Sequence, residues 1–210
     1  MASTPVHPDV LKAIHSYHHN NFGNPYSAHS HGVAANKTFL KAMEECARTF
    51  SCPQNSLYLT SGATESNAIA IQGVVNTALH SGLSRPHVLT SAIEHPSVSG
   101  VKKMADQGLI DHDEIPIDGD GIVDLQSLQS LIKPETVLIS VMLVNSEIGT
   151  IQPINNIAKL IRRYRKQHGL INSDHHYPLL HSDASQAVLT NKINLQKLHV
   201  DLLTINGHKV

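Results

Sequence analysis

The chain has 210 residues, of which 40% are hydrophobic and 16% charged, and this excludes a disordered tail, a coiled coil or a polyelectrolyte. Sixteen Lys and Arg against 17 Asp and Glu leave a formal charge of -1, so no basic excess recruits nucleic acid or an anionic membrane surface. Two cysteines cannot build a disulfide framework, and no apolar run approaches the ~20 residues that span a bilayer. The opening residues show no basic stretch leading into an apolar core, so no signal peptide is expected, and the location expected is cytoplasmic.

In chain order, a Pro at its first turn opens a predicted helix over 8–19, and the turn-rich segment 21–27 ends it. A long helix is expected over 33–49, then a strand over 56–60. From there helices and strands alternate: helix 65–80, strand 86–91, helix 97–107, strand 113–117, helix 125–132 and strand 136–144. Helix 154–168 follows, then strands at 179–182 and 201–205. Short apolar runs alternating with helices predict an α/β fold with a mostly parallel sheet flanked by helices, and a single domain over 1–210. In such a sheet a ligand belongs at the carboxyl ends of the strands, so those loops carry the chemistry.

Thr60-Ser-Gly-Ala-Thr-Glu-Ser-Asn67 opens a helix with small residues, which suits an anion or an ordinary capped start. His95, followed by Pro96, suits either a planar ligand or a plain loop. Asn145-Ser-Glu-Ile-Gly149 places an amide and a carboxylate at the same edge, or forms a hydrogen-bonded turn. Asp183 lies just past a buried strand and needs a cationic partner. His208 and Lys209 end the last strand side by side, and a Lys amine beside such a neighbour is suited to condense with an aldehyde.

Six motifs in order resemble the class V aminotransferases, specifically cysteine desulfurases and the similar selenocysteine lyases. They are Gly23-Asn-Pro-Tyr-Ser-Ala-His29, Thr60 to Asn67, Glu94-His95, Val144-Asn-Ser-Glu-Ile-Gly149, Asp183-Ala-Ser-Gln186 and Gly207-His-Lys209. The resemblance implies the large domain of a fold-type I enzyme using pyridoxal 5'-phosphate, here incomplete. Lys209 would hold the cofactor covalently and then move protons, and Asp183 would pair with the pyridine nitrogen. Gln186 would bond the phenolic oxygen, and His95 would stack on the ring and shuttle protons. Ala63 and Thr64 would bind the phosphate, helped by His208, with Asn145 and Asn206 as further contacts. The resemblance also implies L-cysteine as substrate, sulfur-acceptor or scaffold proteins as partners in iron–sulfur cluster assembly, and a homodimer.

Two positions depart from the family pattern: Ser146 stands where a second Asn is usual, and Asn206 where Ser is usual. The segment 172–178 resembles an insertion. Against the family, the chain starts inside the opening motif and stops one residue past Lys209. The expectation is therefore a fragment without the sulfur-accepting Cys or the substrate-binding Arg, inactive alone and poorly stable. Cys46, in a helix pattern with Met43 and Ala47, is expected to be a small buried hydrophobe. The alternatives are a selenocysteine lyase, a non-catalytic truncated product, or a metal-binding protein using His18, His19, His29, His31, His175 and His176. The last has no Cys or carboxylate at ligand spacing.

Overall fold

A computed structural model describes residues 5–170, 176–188 and 193–209. Expectations that fall on the opening motif, the first part of the 172–178 insertion, His175 and Val210 lie outside the described residues. Where the sequence suggests one domain over 1–210, the residues group into two compact units, 1–59 with 194–196 and 60–193 with 197–210.

In the first unit, helix α1 (Pro8–Asn20) starts at Pro8 and ends at Asn21, and α2 (Ser30–Phe50) starts at a His29 cap whose Nδ1 accepts the Gly32 N–H at 3.3 Å. α2 buries Gly32, Ala35, Met43 and Ala47 on one stripe. Cys46 falls off that stripe and is exposed, which corrects the expectation that it is buried. The strand expected at 56–60 is also absent. Gln54–Ser56 is a single 3₁₀ turn, and the extended residues after it join no ladder, with Tyr58 and Leu59 facing solvent. An apolar run alone cannot make a strand when no neighbouring strand takes up its backbone groups.

The second unit is a five-stranded parallel sheet ordered β2-β1-β3-β4-β5. The strands are β1 (His87–Ser91), β2 (Asp111–Ile115), β3 (Thr136–Ser140), β4 (Leu179–Asp183) and β5 (Leu202–Thr204). Between them run α3 (Ala63–His80, before β1), α4 (Pro96–Ser99), α5 (Val101–Asp106), α6 (Leu125–Leu131) and α7 (Ile154–Gln167), with a short α8 (Leu195–Leu198) before β5. β1 and β3 are buried along their whole length, as strands in the middle of a parallel sheet with covered faces are. β2 forms an edge whose acidic residues are taken up by Arg85–Asp111, Lys102–Glu114 and Lys133–Asp113 pairs, a common protection against edge pairing.

α3 covers one face with Ile71, Val74, Val75 and Ala78 against Val88, Val137 and Leu138. Each such side chain contributes about 1.5–3 kcal/mol on burial. Several boundaries differ from the sequence reading. The helix expected at 97–107 is split at Gly100, the weakest helix former in the segment. The strand expected at 113–117 starts two residues earlier, and Ile117 instead makes an isolated antiparallel bridge to Val123. The strand expected at 136–144 leaves the ladder with β1 after Ser140. Its Val141 and Leu143 N–H groups still donate to His181 and Asp183 carbonyls before Val144 bridges Ile151.

Candidate active site

The strand order reverses beside β1, and that switch point opens a crevice at the carboxyl edge of the sheet. A cleft of about 520 Å³ lies there, lined by the start of α3, His95 after β1, Met142, Val144 and Ser146 after β3, Asp183, Ser185 and Gln186 at the end of β4, and Asn206, His208 and Lys209 after β5.

At the start of α3, the first-turn N–H groups of Ala63 and Thr64 have no intrahelical acceptor, so the helix end is electropositive. Thr60 Oγ1 bonds Ser66 Oγ at 2.7 Å and donates to the Gly62 carbonyl at 3.0 Å, which shapes the loop into the helix. Glu65 occupies part of the anion site itself. Its Oε2 accepts the Ser61 N–H at 2.6 Å and the Ser61 hydroxyl at 2.8 Å, and these bonds hold the carboxyl below the ordinary Glu range.

Asp183 ends β4 and is 5% exposed. Its Oδ2 accepts the Asn67 amide at 2.8 Å and its Oδ1 accepts the Ser185 N–H at 2.9 Å. Both donors are neutral, and among the described residues no cation pairs with the carboxylate. A carboxylate buried on neutral donors is incomplete until a cation reaches it. Two residues earlier, fully buried His181 spans the central strands, with Nδ1 2.8 Å from Ser140 Oγ and Nε2 3.1 Å from Thr204 Oγ1. Burial pushes its pKa down to about 4, and the nearby Asp183 charge offsets only part of that.

Glu94 bridges β1 and β3 at the same edge. Its Oε1 accepts the Ser91 hydroxyl at 2.6 Å and the Met142 N–H at 2.7 Å, while Oε2 is buried without a partner. Burial pushes its carboxyl up to about 8, so Glu94 is a neutral acid at pH 7. His95 caps α4, with Nδ1 2.8 Å from Ser97 Oγ and accepting the Ser97 N–H at 3.1 Å. Asn206 Oδ1 accepts the His208 N–H at 3.0 Å and its carbonyl accepts the Lys209 N–H, which builds the 3₁₀ turn carrying half-buried Lys209.

Of the residues expected from the sequence, Ala63, Thr64, His95, Asp183, Gln186, Asn206, His208 and Lys209 line the one cleft. Asn145 does not. Its amide donates to the Ile93 carbonyl at 3.0 Å and its Oδ1 accepts the Glu147 and Ile148 N–H groups, so the side chain is spent on the turn. Ser146, one of the two departures, takes a place on the cleft wall. Sequence reasoning missed Asn67 and Ser97. Asn67 had a signal: it interrupts the buried stripe Ile71, Val74, Val75 and Ala78 at helical spacing, and a buried polar side chain needs partners. Among the described residues, no three His, Cys, Asp or Glu side chains gather to hold a metal ion.

An α/β domain with a helix start, a buried carboxylate held by neutral donors and a primary amine around one cleft offers groups that could meet an anion, a cation and a carbonyl. The chain belongs to the aminotransferase class V family, whose profile matches residues 1–210, and this family depends on pyridoxal phosphate. A mitosomal cysteine desulfurase of Trachipleistophora hominis is 35% identical over the whole chain, which covers 45% of that relative. The mitochondrial cysteine desulfurase of Drosophila melanogaster is 36% identical, with 42% of its length covered. Among solved structures, a NifS-like protein superposes with a TM-score of 0.89 at 30% identity, over 99% of this chain and 54% of that one. SspA in complex with cysteine gives a TM-score of 0.86 at 30% identity, over 100% and 56%. The chain thus spans about half the length of the relatives it matches. Among the described residues no helix is long and apolar enough to cross a membrane.

Proposed function

We propose that the cleft binds pyridoxal 5'-phosphate and that the chain is the cofactor-binding large domain of a cysteine desulfurase acting on L-cysteine. One observation carries the reading: the buried Asp183 carboxylate has only neutral donors and shares a cleft with the α3 start and the Lys209 amine. A protonated pyridine nitrogen, a phosphate and an aldehyde match those three features one for one. The cleft volume is that of a small-cofactor site.

On this reading Ala63 and Thr64 hold the phosphate through their N–H groups, helped by His208 and Asn206. Asp183 keeps a proton on the ring nitrogen, Gln186 bonds the ring oxygen, and the exposed His95 imidazole covers one ring face. Lys209 would hold the cofactor's aldehyde carbon through Nζ, with water leaving, and once displaced by a substrate amine its Nζ would be free to take and return a proton. When bound, the cofactor supplies an electron sink for bond breaking at the substrate's α-carbon. The relatives' names and the cysteine-bound SspA structure favour L-cysteine as the substrate. Sulfur-acceptor proteins, a homodimer and a cytoplasmic location belong to the same proposal.

The test is titration of the chain with pyridoxal 5'-phosphate, following visible absorbance. A saturable band in the parent that is absent in Lys209→Ala supports the reading. A parent that gives no band, or a band equal in the variant, rejects it.

A further inference from the structure

Three hydrogen bonds join the cleft residues His95 and Asp183 through two side chains that do not line it. His95 Nδ1 lies 2.8 Å from Ser97 Oγ, Ser97 Oγ accepts from Asn67 Nδ2 at 2.8 Å, and the same amide nitrogen donates to Asp183 Oδ2 at 2.8 Å. Donor arithmetic fixes the direction of the two amide bonds, and the Ser97 backbone N–H decides the third. An ionised carboxylate only accepts, so the Asn67 amide must turn its nitrogen toward Asp183. Its second amide hydrogen goes to Ser97 Oγ. That oxygen accepts on one side and could accept again, but the Ser97 backbone N–H makes Nδ1 an acceptor, so the hydroxyl hydrogen is the one that meets it. The Ser97 backbone N–H also points at Nδ1, at 3.1 Å. The imidazole nitrogen therefore receives two donors and cannot carry a hydrogen in the neutral ring.

The amide orientation has a cost that marks it as chosen. Asn67 is wholly buried, and among the described residues its Oδ1 has no partner. A side chain selected only for packing would not strand a buried acceptor.

We infer that Asn67 and Ser97 are positioning residues that hold neutral His95 as its Nε2–H tautomer, with the ring tied to the Asp183 carboxylate. His95 then presents a hydrogen-bond donor at Nε2, and its Nδ1 is turned away from a ligand toward its two donors. Whichever proton His95 moves passes through Nε2. What this tautomer does for the cofactor rests on the proposed function, but the tautomer itself does not.

The experiment is long-range ¹H–¹⁵N correlation on the cofactor-free full chain with ¹⁵N-labelled histidine, at roughly pH 7.5, one unit above the ordinary imidazole pKa. A His95→Gln variant assigns the signals. The expected result is an unprotonated Nδ1 and a protonated Nε2 at His95. Ser97→Ala removes the shorter of the two donors, so the Nδ1–H fraction rises, and Ser97→Thr restores the parent pattern. An Nδ1–H ring in the parent overturns the inference, as does a His95 signal unmoved by Ser97→Ala. Asn67→Ala is a second arm: it frees the Ser97 hydroxyl and shifts His95 in the same direction, and a His95 signal identical to the parent's also overturns the inference. A pyridoxal 5'-phosphate titration run beside it separates the two claims. Binding about tenfold weaker in Asn67→Ala supports the link to Asp183, and equal binding overturns that link. A parent that binds none rejects the cofactor reading and leaves the tautomer to the spectra.

Discussion

Glu94 Oε1 lies 2.7 Å from the Met142 backbone nitrogen, so a neutral carboxylic acid clamps the end of β1 to the chain leaving β3. Its pKa is raised from 4.5 to about 8, chiefly by burial, so the folded state binds the extra proton between those values. Stability from this group is full below pH 4.5 and is lost as pH rises toward 8. Glu94→Gln keeps an acceptor for Ser91 and Met142 and removes the titration. Urea melts at pH 6.5 and 8.5 are expected to show the parent losing stability while the variant does not. Equal losses in both proteins would contradict the buried-acid assignment.

His181 has the opposite sign. Its pKa falls from 6.5 to about 4, so stability from the neutral ring is full above pH 6.5 and is lost as pH falls toward 4. Between pH 4.5 and 6.5 the two groups oppose each other, and Glu94 alone dominates above that window. His181→Gln is expected to cost about 1–3 kcal/mol at pH 7, because Ser140 and Thr204 lose their shared partner. It is also expected to flatten the acid limb of the unfolding profile. An unchanged acid limb would place the acid sensitivity elsewhere.

The sheet was legible where burial on both faces leaves an apolar run, as at 137–139 in β3, and where turn residues bound it. The run at 57–60 has the same composition yet forms no strand, because pairing is decided by a neighbour that local sequence does not name. The site was legible at strand ends for a similar reason: a parallel sheet sends its loops to one edge, so Asp183 and Lys209 had to share it. Asn67 and Ser97 were hidden by distance in the chain, 30 residues from each other and, for Asn67, 116 from Asp183. Asn145 does not line the cleft, because an amide at a strand end serves a turn as readily as a ligand.

Glu65 Oε2 accepts both Ser61 donors, and under the proposed function a phosphate at the start of α3 would have to displace it to reach them. Glu65→Gln removes the negative charge and weakens that contact. Inorganic phosphate and pyridoxal 5'-phosphate are expected to bind roughly two- to fivefold more tightly to the variant. Isothermal titration would measure this, and weaker binding would show that Glu65 shapes the loop rather than blocking it.

Asp183→Asn preserves shape and removes charge, whereas Asp183→Ala also strands the Asn67 amide and the Ser185 N–H. If the carboxylate serves a cationic ring nitrogen, both variants lose affinity for pyridoxal 5'-phosphate by about tenfold or more. If it serves only the fold, Asp183→Asn binds as the parent does, and only Asp183→Ala melts lower.

The most direct measurement is chemical. The chain is incubated with pyridoxal 5'-phosphate, reduced with borohydride, digested and mapped by mass spectrometry. The account predicts one stoichiometric label, on Lys209. Labelling spread over surface lysines, or a Lys209 peptide that stays unmodified, would contradict it.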